Sequence, residues 1–205
     1  MDIVFATGNK DKMREISHML ENVVIDGEKV SIYSMKEKGI DIDIEENGKT
    51  FLENALIKAT AVSRLLPDSI VMADDSGLEV DYMNKEPGIY SARFLGVETP
   101  HHDKNMEILK RLKDAEGDER SARFVCSIAI ILPGGKTLSA VETMEGRIAY
   151  EERGKNGFGY DPIFTVYPYD RTNSELEPDE KNAISHRGKA LRAAKELLEK
   201  EYKSL

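Results

Sequence analysis

The chain has 205 residues, of which 40% are apolar and 33% charged, with aromatics at 7% and no tryptophan. This composition supports one domain, or two lobes sharing a core, and excludes a chain disordered throughout. Asp and Glu number 38 against 29 Lys and Arg, a formal net charge of −9; that disfavours indiscriminate binding to nucleic acid or an anionic membrane, so an anionic ligand needs a local cation cluster or a metal.

Ile3–Ala6 is a short apolar run that predicts a buried strand, broken by Thr7-Gly8-Asn9. A helix follows with Met13, Ile16 and Leu20 on one face, then a strand over Val30–Ser34 and an acidic loop over Ile40–Lys49. Thr50-x-x-Glu53 is a capping-box pattern and opens a helix to about Leu66, ended by Pro67. Ile70–Ala73 reads as a short buried strand running into Asp74-Asp75-Ser76-Gly77, which puts Asp75 at a strand end, and the chain continues out through Leu78–Tyr82. Pro87-Gly88 marks a turn, and a helix is expected over roughly His102–Ala115. Phe124–Leu132 is almost wholly apolar, the pattern of a central strand covered on both faces. Pro133-Gly134-Gly135 turns the chain into an alternating strand from Lys136 to about Glu145. Gly154–Pro162 is rich in glycine and aromatics, and a last helix carries Leu191, Ala194 and Leu198. The mixture predicts an α/β protein with a mixed sheet, without repeats or linkers.

Cys126, the single cysteine, excludes an internal disulfide framework and a thiolate metal cage, and reads as a small hydrophobe in the central strand. No apolar run reaches membrane-spanning length, and no charged leader precedes a long hydrophobic stretch. The expectation is a soluble cytoplasmic protein.

Five places hold candidate chemistry. Thr7-Gly8-Asn9-Lys10-Asp11-Lys12 lies between a strand and a helix, where free N–H groups attract phosphate and Lys12 falls in the first turn. It is not a Walker loop, and an ordinary Asn9 cap with exposed lysines fits the spacing equally well. Lys58 lies in the apolar sector of its helix with Phe51, Ala55, Val62 and Leu65. A lysine there needs a partner or a pocket, unless its stem snorkels outward. Glu45-Glu46 and Asp74-Asp75 offer hard oxygen ligands suited to Mg²⁺; a solvated acidic loop and an Asx-turn are the plainer alternatives. In Gly157-Phe158-Gly159-Tyr160-Asp161-Pro162, Phe158 or Tyr160 either stacks on a base or packs the loop onto the core. Lys181 with Ser185-His186-Arg187-Gly188 supplies cations and donors ahead of the last helix. His101-His102 reads as an exposed helix start, and no Gly-x-Ser-x-Gly elbow supports a serine hydrolase.

The order of these segments is more specific than any one of them. Thr7-Gly8-Asn9-x-x-Lys12, Phe51-x-Glu53-Asn54-Ala55-x-x-Lys58-Ala59, Ala73-Asp74-Asp75-Ser76-Gly77-Leu78, Pro87-Gly88-Ile89-Tyr90-Ser91-Ala92-Arg93, Phe158-Gly159-Tyr160-Asp161-Pro162 and Ser185-His186-Arg187 succeed one another across nearly the whole chain. Together they resemble the inosine/xanthosine triphosphate pyrophosphatases. The resemblance implies one domain over 1–205, built on an elongated mixed β-sheet flanked by helices, with two lobes around a central cleft, usually as a homodimer. It implies Mg²⁺-dependent hydrolysis of ITP, dITP or XTP to the monophosphate and pyrophosphate. By position, Thr7, Gly8, Asn9, Lys10, Asp11 and Lys12 would hold the triphosphate. Glu46 and Asp75 would bind the metal, and Asp75 would also accept the proton; Glu45 competes with Glu46 for the first of these places. Ser76, Phe158, Gly159, Tyr160, Asp161, Lys181, His186 and Arg187 would contact the purine nucleotide, and Lys58 matches a lysine of the cleft.

In the mechanism these assignments imply, Lys12 and Lys58 stabilise charge on the leaving pyrophosphate while Asp75 orients or deprotonates a water. A buried donor, from Arg187 or a neighbouring backbone N–H, would accept a 6-keto purine and oppose a 6-amino one. The alternatives are a related nucleotide pyrophosphatase with another base preference, or a purine nucleotide sensor without catalysis.

Overall fold

The structure, a computed structural model, describes residues 2–202 except 22, 26 and 168. Its elements in chain order are β1 (Asp2–Phe5), α1 (Lys10–Leu20), β2 (Val24–Ile25), β3 (Glu28–Lys29), β4 (Ser31–Ser34), α2 (Phe51–Ser63), β5 (Ile70–Val80), α3 (His101–Arg111), β6 (Ser121–Ile131), β7 (Thr137–Ile148), β8 (Phe164–Val166), α4 (Pro178–Ile184) and α5 (His186–Tyr202). Six strands form a sheet in the order β4-β1-β5-β6-β7-β8, and β2 pairs with β3 alone. β1 runs parallel to β4 and β5, with Val4 opposite Val71, whereas β7 and β8 are antiparallel. The expected α/β architecture with a mixed, helix-flanked sheet is the one observed.

The chain divides into two units within β5, β6 and β7. The first comprises the residues up to Asp75, Cys126–Glu142 and those from Arg187 on; the second comprises Ser76–Val125 and Thr143–His186.

In the first unit, strand alternation sends neighbouring side chains to opposite faces. Ile3, Phe5, Ile70, Met72, Cys126, Ile128 and Ile130 pack with Ile16 and Leu20 of α1 and with Ala190, Leu191, Ala194 and Leu198 of α5. Val4, Ala6, Val71, Ala73, Ala129 and Ile131 pack with Ala55, Ala59 and Val62 of α2. Both faces of these strands are therefore covered, which explains why they read as continuous apolar runs rather than alternating ones. Asn9 starts α1, its Oδ1 accepting from the N–H groups of Asp11 (2.9 Å) and Lys12 (3.0 Å). Thr50 starts α2 through a bond from Glu53 N–H (3.1 Å). That helix ends at Ser63, short of the predicted Leu66, as the last residues close into tighter turns onto Val62 and Ser63. Leu65, predicted for the apolar face, is exposed.

The second unit has its own core around Leu78, Val80, Ile108, Leu112, Phe124, Met144, Ile148, Ile163 and Phe164. Helix α3 stops at Arg111 although helical spacing continues to Ala115. The buried guanidinium of Arg120 captures the carbonyls of Leu112 (2.7 Å) and Ala115 (3.2 Å), replacing further helical turns. It also donates to Ile148 and Ala149, fastening the end of β7.

β5 departs most from expectation. It passes unbroken through Asp74-Asp75-Ser76-Gly77 as an 11-residue strand, so the Asx-turn alternative does not hold. Aspartate is poorly suited to strands, and two in succession persist only where each finds partners on its own face.

Candidate active site

Alternation along β5 gives Asp74 and Asp75 different surroundings. Asp74 continues the series Ile70, Met72 and faces α1 and α5; Asp75 continues Val71, Ala73 and faces α2. Asp74 is fully buried. Lys12 Nζ of α1 lies 3.0 Å from its Oδ2, and Arg187 Nε of α5 lies 3.5 Å from the same oxygen. Arg187 also donates through Nη1 to Glu15 of α1. Burial alone would raise the Asp74 pKa, but Lys12, Arg187 and Lys58 outweigh it and hold the carboxyl well below the usual range.

On the other face, Lys58 of α2 reaches Glu46 Oε2 at 3.0 Å and Asp75 Oδ1 at 3.6 Å. Burial works to lower the Lys58 pKa, yet Asp75, Asp74 and Glu46 together raise it. Asp75 is nearly buried, and desolvation raises its pKa against the opposing pull of Lys58 and Lys12; the Glu46 charge adds to the rise. Asn54, one turn before Lys58, donates to Asp75 Oδ2 (3.1 Å) and accepts from Gly48 N–H (2.9 Å). A Cβ on Gly48 would collide with Asn54 and Glu53, so glycine lets the loop bearing Glu46 approach α2 closely. Glu46 is half-buried there, whereas Glu45 is exposed.

The phosphate-loop candidates separate by role. Thr7 Oγ1 accepts from Asn9 N–H (3.2 Å), and Asn9 is the helix cap. Gly8 and Lys10 are exposed and Asp11 is half-buried beside Arg14. Lys12 alone turns inward, to Asp74.

The second unit holds the remaining candidates. Ser76 is half-buried on β5. Asp161 is buried, accepting from Phe158 N–H (2.9 Å), Asn173 Nδ2 (3.0 Å) and Lys181 Nζ (2.7 Å). Lys181 Nζ also lies 5.3 Å from the centre of the half-buried Phe158 ring. Tyr160 is buried and its hydroxyl donates to Ser91 O (2.7 Å); burial raises its pKa. Gly159 shares the left-handed backbone of this turn, with φ of 65°. The His186 ring stacks on Phe124 at 4.8 Å.

Sequence reasoning gave Asn54 and Glu15 no role and weighed Asp74 only as a hard oxygen ligand or an Asx-turn residue; these three link the named residues. Two of them were accessible: Asp74 shares the parity of Ile70 and Met72, and Asn54 sits four residues before Lys58 on the same helical stripe. Glu15 carries no comparable signal.

Among the described residues no three His, Cys, Asp or Glu side chains gather as a metal cluster. Glu46 and Asp75 nevertheless touch one ammonium between them. Two hard carboxylates, one made reluctant to ionise by burial, suit a divalent ion such as Mg²⁺, which takes one or two carboxylates with phosphate oxygens and water.

The family model described as Ham1 family matches residues 3–197. The chain belongs to the Ham1 family. It is 44% identical over 200 residues to the dITP/XTP pyrophosphatase of Clostridium perfringens, covering 95% of this chain and 96% of that one. The Bacillus licheniformis dITP/XTP pyrophosphatase is 45% identical over 198 residues, covering 97% and 98%. Among solved structures, the Staphylococcus aureus Ham1 protein aligns with a TM-score of 0.84 at 37% identity, over 98% of this chain and all of that one. A HAM1 protein from Coxiella burnetii also aligns at 0.84, with 40% identity over 97% and 98%. No helix among the described residues is long and apolar enough to cross a membrane.

Proposed function

We propose that this Ham1-family protein hydrolyses the non-standard purine nucleotides ITP, dITP and XTP to the monophosphate and pyrophosphate, with Mg²⁺. The observation that carries this reading is the Asp74-Asp75 pair, which sorts the surrounding cations onto two sides of one strand. Close relatives named dITP/XTP pyrophosphatases, aligned over nearly their full lengths, support it.

Asp74 fixes Lys12 and Arg187, so Lys12 meets the triphosphate from a held position rather than as a mobile surface chain. Lys58 is charged and already balances two carboxylates; it stabilises charge developing on the leaving pyrophosphate. Glu46 and Asp75 would hold Mg²⁺, which when bound neutralises phosphate charge. Asp75 takes the proton of the attacking water. Thr7 to Lys12 receive the phosphates.

Ser76, Phe158, Lys181 and His186 contact the nucleoside, with Phe158 stacked on the purine, while Tyr160 and Asp161 hold the turn that presents it. Arg187 is committed to Asp74 and Glu15, so a backbone N–H beside it is assigned as the donor to the 6-keto oxygen. The two compact units are assigned as the two lobes of one domain over residues 1–205. The protein works as a cytoplasmic homodimer; Tyr82, Tyr90, Leu95, Val97 and Met106 are exposed apolar side chains available to such an interface.

Incubation with ITP, dITP, XTP, GTP and ATP, with and without Mg²⁺, tests this. Pyrophosphate should be released from the 6-keto non-standard nucleotides about tenfold to a hundredfold faster than from ATP. Asp75→Asn should lower kcat by about 10²–10³. Orthophosphate with a diphosphate would mean cleavage at the terminal phosphate, binding without turnover a sensor, and near-normal turnover of Asp75→Asn a different base.

A further inference from the structure

We propose that Asn105 of α3 is a positioning residue for purine recognition, acting through the Gly159 carbonyl. This rests on the assignment of Phe158 to the base.

The turn Gly157–Asp161 contains two residues in the left-handed region, Gly157 at φ 75° and Gly159 at φ 65°. Glycines there give little intrinsic rigidity, so whatever orients Phe158 must come from outside the backbone's own preference. Asp161 pins Phe158 N–H from within the turn, and Tyr160 reaches away to Ser91 O. The peptide between them is held by Asn105, whose Nδ2 donates to Gly159 O at 3.2 Å.

Asn105 is 1% exposed and comes from a helix more than fifty residues earlier. Its Nδ2 also donates to Glu152 Oε1 at 2.7 Å, and Glu152 Oε2 meets His102 Nδ1 at 2.7 Å. Both neighbours of the amide nitrogen are acceptors, so the reversed amide would set oxygen against oxygen twice. The orientation is thereby settled: two donors point at the turn and at Glu152. Lys104, the preceding residue, donates to Ala92 O at 2.7 Å, next to the Ser91 carbonyl that anchors Tyr160. Adjacent buried polar residues of α3 thus hold both loops that the Tyr160 hydroxyl joins.

Asn105→Leu keeps the branched outline of the side chain and removes both donors. It should raise the KM for ITP and the inhibition constant of IMP about tenfold, as expected for one lost hydrogen bond, with kcat within about twofold. Inhibition by pyrophosphate, which lacks the base, should not change. Glu152→Gln, which still accepts from Asn105, should leave IMP inhibition as in the wild type. Asn105→Ser, with a hydroxyl too short to reach Gly159, should give the same pattern if Asn105→Leu does not accumulate as folded protein. Unchanged IMP inhibition in either folded variant, or an equal loss of IMP and pyrophosphate inhibition, overturns the proposal. Phe158→Ala separates the two layers. If it leaves IMP inhibition unchanged, the base assignment fails; if it weakens IMP while the Asn105 variants do not, only the role of Asn105 fails.

Discussion

Buried cations of the two units find two kinds of partner, carboxylates throughout the first unit and both carboxylate and main-chain carbonyls in the second. In the first, Lys12, Lys58 and Arg187 rest against the carboxylates of Glu15, Glu46, Asp74 and Asp75. In the second, Lys181 rests on the Asp161 carboxylate, whereas Lys104 and Arg120, as deeply buried, rest on main-chain carbonyls: one for Lys104, four for Arg120. A carbonyl satisfies a donor without neutralising it and belongs to the fold, so such a cation is fixed structure. A carboxylate partner neutralises the cation and can share it with another anion, which is what a triphosphate requires. Burial of a lysine or arginine is therefore not itself a sign of function; the chemistry of its partner is.

Substitution at one cation of each kind puts this contrast at risk. Lys58→Met should lower kcat by about 10²–10³ while the thermal midpoint moves little, because the ion pair it breaks lies in the site rather than in the core. Loss of folding with turnover per folded molecule intact would place Lys58 with the structural cations. The smaller effect belongs to Arg120→Met, which strips four buried carbonyls of a charged donor. Its expected cost is about 3 kcal/mol of stability, read from denaturant unfolding, with kcat/KM unchanged for the folded fraction. A turnover defect in stable Arg120→Met would erase the distinction.

The same contrast shows what was legible in the sequence. Long apolar runs marked Ile70–Ala73 and Phe124–Leu132 correctly because burial on both faces leaves a signature in composition alone. The wheel position of Lys58 announced a buried ammonium, since helical spacing is local information. Asp74 was read as a metal ligand or an Asx-turn residue rather than as an anchor for cations, because a strand interior and a turn both accept the text Asp-Asp-Ser-Gly, and only the cations of α1 and α5, remote in sequence, decide for the strand. Helix boundaries near Leu66 and Ala115 failed for a related reason: turn bonds and the guanidinium of Arg120 captured carbonyls that periodicity assigns to the helix. Ordered motifs located the candidate residues, but they did not say that Tyr160 and Asp161 face inward, because that depends on Ser91, Asn173 and Lys181.

Cys126 supplies the mildest test, because it borders the charged side of the comparison without being part of it. Its thiol is fully buried in the core beneath α1 and α5, and its pKa is pushed up to about 12, first by burial and next by the Asp74 charge. At pH 8 the folded protein then holds only about 10⁻⁴ of this group as thiolate, against a tenth in the unfolded chain with the ordinary value of 9.0. Iodoacetamide should leave the native protein unmodified and alkylate it promptly in denaturant. The sign of the pH effect follows from the same difference. Between about pH 9 and 12 the folded state keeps a proton that the unfolded chain releases, so this group's contribution is complete below pH 9 and is lost as pH rises towards 12. Cys126→Ala should flatten that alkaline decline in stability. Rapid alkylation of the native protein at pH 8 would mean instead that the face carrying Asp74 opens to water, and the paired cations there would lose the low-dielectric setting on which the contrast with Lys104 and Arg120 depends.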